Sequence, residues 1–288
     1  MKRKTLGPIS PNAGIEAIYQ RKLVKIASEM HNSTIFWVLQ TYKNKPPEMA
    51  LDAWFDGLSP ATALKSVMNR LWSHWEKEFS DFSTKVSGWF ARNSLENVDK
   101  SMKSALKKSG MLVDWKFTRE ANDVLQSVIA ENVSLIRSIP EKYLTDVNGL
   151  VMRHIQVGGS IESLADQLGP KIDLSLIRRS RKIDEDDKSF AARVRRRAIL
   201  IATDQTNKAN AAMTRMRQIE IGCNKALWLH SHAVRHPRKE HLAFDYHEYD
   251  IRKGAFLEGK WVWPGTEINC KCRSLTILPD KSILTGSE

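Results

Sequence analysis

Apolar residues recur at three- and four-residue steps along most of the chain, the period of one face of an α-helix. After an arm containing Pro, Gly and Asn, the row Ile15, Ile18, Tyr19, Leu23, Ile26, Ala27 and Met30 predicts a first amphipathic helix, and Pro46-Pro47 is expected to break the chain beyond it. A second row runs through Leu64, Met68, Leu71, Trp72, Trp75, Phe79, Phe82, Val86, Trp89 and Phe90. Ser59 is placed to cap that helix, and Pro60 suits its first position, where a missing N–H costs nothing. The segment SLENVDKSMKSALKKSG reads as a further, basic helix ending at Gly110. The next, TREANDVLQSVIAENVSLIRSI, is expected to stop at Pro140, and Ser160 to cap the short IESLADQL. Val194, Ala198, Ile201, Ala209, Ala212, Met216 and Ile219 form one face of a long helix, broken only by Gln205 and closed by Gly222. About thirty residues at 1.5 Å each make that helix roughly 45 Å long.

Beyond Gly222 the period is lost. Trp228, Leu229, Phe244, Tyr246, Trp261, Val262 and Trp263 fall in short runs between Gly, Pro and His residues. The fold class that follows is mainly α, a long-helix helical region with a small α+β C-terminal subdomain. No run approaches the roughly 18 apolar residues of a membrane span, so no membrane association is expected. The opening MKRKTLGPIS has no apolar stretch after its charges, which argues against a signal peptide, and three cysteines fit a reducing, intracellular compartment.

Charge adds a direction. The net charge of +12 predicts attraction to polyanions, nucleic acid above all, or to an acidic protein surface. Between residues 178 and 197 nine Lys/Arg stand against four Asp/Glu. Arg178, Arg179, Arg181, Arg195, Arg196 and Arg197, with Arg235, Arg238 and Lys239 further on, are therefore candidates for contacts with DNA or an acidic partner. The same residues also suit a solvated helix end. The aromatic row of the second helix could stack on bases, but its helical spacing favours a packed face.

Histidine and cysteine carry the remaining chemistry. Cys270 and Cys272 are one residue apart, and alternate residues of an extended segment point the same way, so both sulfurs can reach one ion. Four of the eight histidines lie between 230 and 241. His241 is the preferred third ligand of a structural zinc, and the fourth comes from His230, His232, His236 or His247, with His230 the working choice. A small irregular subdomain gains folding free energy from such an ion. Two alternatives stay open: buried thiols beside a basic loop, and a metal-dependent nuclease centred on His236, His241 and Asp245. Nothing marks an oxyanion hole or a phosphate-binding glycine loop, and Cys223 suits the core.

Taken in order, several segments resemble the Mu F-type head-morphogenesis family, the minor head proteins of tailed phages. They are ENVSLIRSIPEKYLTDV (131–147), GGSIESLADQL (158–168), RRAILIATDQTNKAN (196–210), then Trp228, His230-Ser231, His236-Pro237-Arg238 and His241, and finally Asn269-Cys270-Lys271-Cys272-Arg273. The chain departs from the family pattern twice. Members often carry Asp-Gly after the histidine matching His241, where this chain has Asp245-Tyr246, and they commonly have Cys-Arg-Cys where it has Cys-Lys-Cys. The resemblance implies a variable helical docking region over 1–119, a head-morphogenesis module over 120–280 and a tail over 281–288. It further implies a non-enzymatic minor capsid protein working with portal, major capsid or scaffolding proteins and with phage DNA. Such a protein resides in the host cytoplasm during assembly and then in the virion, in the head interior or near the portal. A free DNA-binding protein is the other non-enzymatic reading. No fused toxin or ADP-ribosyltransferase segment is expected after the cysteine pair.

Overall fold

The computed structural model describes residues 4–44, 59–175, 186–232 and 237–279, and it is mainly helical with a small strand region near its C-terminal end. Four long helices dominate: α1 (Ala13–Asn44), α2 (Pro60–Lys108), α3 (Arg119–Gln156) and α5 (Phe190–Glu220), with the short α4 (Ile161–Leu168) between the last two. Among the described residues no helix is long and apolar enough to cross a membrane. Pro46-Pro47, Arg178, Arg179, Arg181, Arg235, His236 and the 281–288 tail lie outside the described residues.

The caps behave as their chemistry dictates. Ser59 Oγ accepts the Thr62 N–H at 3.2 Å, and Ser160 Oγ accepts the Ser163 N–H at 3.2 Å. Gly110 adopts φ 81°, which lets the Met111 N–H reach the Leu106 carbonyl and close α2. Gly222 closes α5 in the same way, with the Cys223 N–H on the Gln218 carbonyl.

Two boundaries differ from the sequence expectation. Helix α2 runs unbroken to Lys108, joining the aromatic row to the basic segment, because Leu95, Val98, Met102 and Leu106 continue the buried face. Helix α3 passes through Pro140 instead of ending there. Proline removes one backbone hydrogen bond, but Ile136, Ile139, Tyr143, Leu144 and Val147 bury one continuous face across it. Each such side chain contributes about 1.5–3 kcal/mol on full burial, so packing outweighs the lost bond.

The chain packs as two compact units, each assembled from separated stretches. Residues 18–86 and 132–202 form one. Its core takes Tyr19, Leu23, Ala27 and Met30 from α1, Leu64 and Phe79 from α2, Val147 and Val151 from α3, and Leu164 and Leu168 from α4. Several polar groups inside it pair with one another: Tyr19 Oη donates to Asn132 Oδ1 at 2.6 Å, and His31 bridges the Tyr143 hydroxyl and the Pro170 carbonyl.

Residues 1–17, 87–131 and 203–288 form the other unit. It contains the antiparallel sheet β2-β1-β5, from β1 (Lys225–Leu229), β2 (Glu248–Asp250) and β5 (Arg273–Thr276). The hairpin of β3 (Ala255–Leu257) and β4 (Lys260–Val262) and the short helix α6 (Lys239–Ala243) complete it. The N-terminal arm extends the sheet edge: the Leu6 N–H donates to the Thr276 carbonyl and the Leu278 N–H to the Lys4 carbonyl, both at 2.9 Å. Arg217, 1% exposed, anchors α5 by a two-pronged pairing with Asp99, at 2.7 and 2.9 Å, and by a bond to Glu220 at 2.6 Å.

Candidate metal centre

Strand β1 alternates inward and outward, so Ala226 and Trp228 point into the subdomain and are fully buried. Edge-on against the Trp228 ring, 4.9 Å between centroids, sits the imidazole of His241 on α6. From the segment leading into β5, Cys270 and Cys272 meet that imidazole: Nδ1 lies 3.6 Å from Cys270 Sγ and 3.9 Å from Cys272 Sγ. All three side chains are buried, and their ligand atoms lie within 4.8 Å of one another. This His241–Cys270–Cys272 group could hold a metal ion.

The surroundings favour charge on one of the two sulfurs. A hydrogen bond from the Cys272 thiol, with others from His241 and the Cys272 and Gly265 N–H groups, outweighs burial and holds the Cys270 thiol well below the ordinary thiol range. The Cys270 thiolate in turn pushes Cys272 up. The buried Trp228 Nε1–H has no partner within hydrogen-bond distance, yet it lies near enough to Cys272 to favour the charged sulfur. Arg273, whose own pKa burial lowers, feels the field of both sulfurs while donating to the Cys272 carbonyl at 3.0 Å and to Asn207 Oδ1 at 2.8 Å. Cys223 is a different kind of thiol: burial alone raises it to about 12, as expected of a core residue.

Long-range polar bonds fix the cysteine segment. Asp204 on α5 accepts the Asn269 N–H at 2.7 Å and pairs with Lys208 at 3.1 Å. Asn269 holds φ 59°, a left-handed conformation that asparagine tolerates, and turns the chain into Cys270. Glu267, whose carbonyl accepts the Cys270 N–H, is held by Lys260 at 2.9 Å and lies 4.0 Å from Arg238. Asp204, Asn207 and Glu267 were not singled out by sequence. For Asp204 and Asn207 the signal is a run of polar residues, Asp204 to Asn207, on a helix whose neighbouring turns bury apolar side chains.

His230 stands beside the three-residue group. It is buried, its N–H donates to Asp245 Oδ1 at 2.7 Å, and its Nδ1 accepts the His232 N–H at 3.1 Å. That bond places the proton of a neutral ring on Nε2. Burial lowers the His230 pKa, with the neighbouring His232 adding to the effect. Burial would raise the Asp245 carboxyl, but hydrogen bonds from the His230 N–H and the His232 ring outweigh it and hold the group low. His247 is exposed, its Nδ1 3.1 Å from the Asp245 carbonyl.

The basic candidates are distributed. Arg196 donates to the Asp187 carbonyl at 2.6 Å and Arg197 to Ser138 Oγ at 2.8 Å, and Arg195 is half-buried with its pKa lowered by that burial. These three belong to the unit of 18–86 and 132–202. Arg238 donates to the Ile268 carbonyl at 3.0 Å beside the cysteine segment, and Lys239 is exposed on α6.

A protein of Haemophilus influenzae (strain ATCC 51907 / DSM 11121 / KW20 / Rd), described as an uncharacterized protein, is 24% identical to this chain over 225 residues. The match covers 76% of this chain and 44% of that relative, so the chain spans less than half the relative's length. No protein-family model and no solved structure matches the chain.

Proposed function

We propose that the chain is a Mu F-type minor head protein of a tailed phage, a structural component whose strand-bearing subdomain is stapled by zinc. The observation that carries this reading is convergence. Pieces of the family motif separated by tens of residues, from α5, β1, α6 and the cysteine segment, meet around His241, Cys270 and Cys272. Asp204 and Asn207 of the helical piece bind Asn269 and Arg273 of the closing piece directly. Tyr246 gives independent support. Where members carry glycine, this tyrosine takes φ 56°, a backbone conformation that glycine adopts without strain.

Zinc is the ion that suits two thiolates and an imidazole. Zinc–sulfur and zinc–nitrogen bonds of about 2.3 and 2.0 Å at a tetrahedral angle separate sulfur and nitrogen by roughly 3.5 Å, close to the 3.6 and 3.9 Å between Nδ1 and the sulfurs. Burial of all three side chains favours a structural ion over a catalytic one, which needs a position open to substrate. In the assembling head, portal, major capsid or scaffolding proteins are the partners, and the +12 charge supplies attraction to packaged DNA.

The test is co-expression of the full chain with the portal and major capsid proteins of the same phage genome, followed by sedimentation of assembled heads. The chain is expected in the head fraction at few copies per particle, with no metal-stimulated DNA cleavage. Absence from heads, together with cleavage that His241→Ala abolishes, would overturn the reading in favour of a nuclease.

A further inference from the structure

The β3–β4 hairpin turns one face inward and leaves the other open. Ala255, Leu257 and Val262 are buried, whereas Phe256 and Trp261 are 59% and 55% exposed. The two aromatics are direct cross-strand partners, with ring centroids 5.3 Å apart and planes inclined at 61°. Such a pair steadies a hairpin through contact between the rings. That role does not require more than half of each ring to face water.

The hairpin is firmly held. The Glu258 N–H is bound by the Glu240 carboxylate, Lys260 pairs with Glu267 at 2.9 Å, and Asp250 Oδ1 accepts the Arg252 and Lys253 N–H groups at 2.8 and 2.9 Å. Arg252 and Lys253 stand exposed just before β3; the carboxylates of Asp250 and Glu240 are engaged by backbone N–H groups, and Glu267 is engaged by Lys260.

We infer that this open face binds single-stranded nucleic acid, with bases stacked on Trp261 and Phe256 and phosphates held by Arg252 and Lys253. Exposed Arg252 and Lys253, on a chain of net charge +12, select a polyanion. Exposed ring faces select unstacked bases, since those of a duplex are already stacked on one another, and stacking of this kind tolerates any sequence. The inference rests on the hairpin alone and is independent of the head-protein reading.

The experiment titrates the full chain into a fluorescein-labelled oligothymidylate of about 15 nucleotides, a length within the range that one such binding face occupies. Binding is followed by fluorescence anisotropy at several salt concentrations, with a duplex of equal length in parallel. Phe256→Leu/Trp261→Leu keeps apolar bulk and removes both π faces. It is expected to weaken single-strand binding on the order of tenfold or more and to leave duplex binding unchanged. Trp261→Phe is expected to retain most of the affinity. Arg252→Gln/Lys253→Gln should flatten the slope of log affinity against log salt by about 1.4. Unchanged single-strand affinity in a folded leucine variant, or an equal loss on duplex, would overturn the inference. The first of these outcomes would make the hairpin a protein-docking face. If the leucine variant does not fold, the charge variant decides, and an unchanged salt slope overturns the inference.

Discussion

His31 in the helical unit and His241 in the strand-bearing one are both buried almost completely, at 0% and 3% exposure. Their surroundings differ in kind. The His31 ring is satisfied by protein groups on both sides. Its Nε2–H donates to the Pro170 carbonyl at 3.0 Å, so Nδ1, 2.8 Å from the Tyr143 oxygen, accepts the hydroxyl proton. His241 presents Nδ1 to two sulfurs. A buried histidine between a carbonyl and a hydroxyl is a core residue held neutral, whereas one facing two thiols belongs to a group that could hold a metal ion. The contrast extends to the units around them. Long helices bury continuous apolar faces around His31, while short strands around His241 rely on Asp204, Asn207, Glu267 and Arg273 for their bonds.

Removing the ligands should break this contrast most severely. Cys270→Ser/Cys272→Ser is expected to take bound zinc from about one equivalent to none by elemental mass spectrometry. The strand-bearing unit should lose about 4 kcal/mol, the stabilisation from an ion present at roughly a thousand times its dissociation constant. His31→Gln should retain the metal in full, and equal metal loss in both variants would erase the distinction.

Acid should reveal His31 next. Burial lowers its pKa from 6.5 to about 4, against a smaller opposing effect of the bond to Pro170. With the folded value depressed, the unfolded chain takes up a proton that the folded chain refuses. The contribution is whole above pH 6.5, declines as pH falls, and is spent near pH 4. The expected loss is about 3 kcal/mol, read as the difference in urea-unfolding free energy between pH 7 and pH 4. That component should be missing from His31→Gln.

A smaller effect is expected from Tyr143→Phe, which strands a buried ring nitrogen at a cost of about 1.5 kcal/mol. The same measurement on Tyr249→Phe, whose hydroxyl donates to Ser274 Oγ at 2.7 Å, compares the loss in the other unit. Smallest is Tyr246→Gly, which relieves the left-handed backbone and should stabilise by roughly 0.5–1 kcal/mol, seen as a higher urea midpoint with an unchanged slope.

Much of the helical architecture was legible because it depends on local rules. The period of Leu64 to Phe90, the Ser59 and Ser160 caps, and Gly110 and Gly222 at helix ends each follow from a few neighbouring residues. Pro140 was misjudged because its effect is decided by what α3 packs against, and the continuity of α2 was hidden because polar residues punctuate its buried face. In the candidate site, Cys270, Cys272 and His241 were legible from donor type and spacing. Asp204 was not, since an acid on a long helix says nothing of a backbone N–H sixty-five residues away.

The sequence by itself determined the capped helix ends, the mainly α class with its small strand region, and which side chains have the chemistry to hold a metal. Only the tertiary structure decided which histidine meets the two sulfurs and which is sealed between Tyr143 and Pro170. It also showed that Gln205, the break in the apolar face of α5, is buried and bonded to Glu131 at 3.0 Å. The physical reason is range. Capping and periodicity are settled within a helical turn, whereas the role of a polar side chain depends on the partner that folding brings to it from elsewhere in the chain.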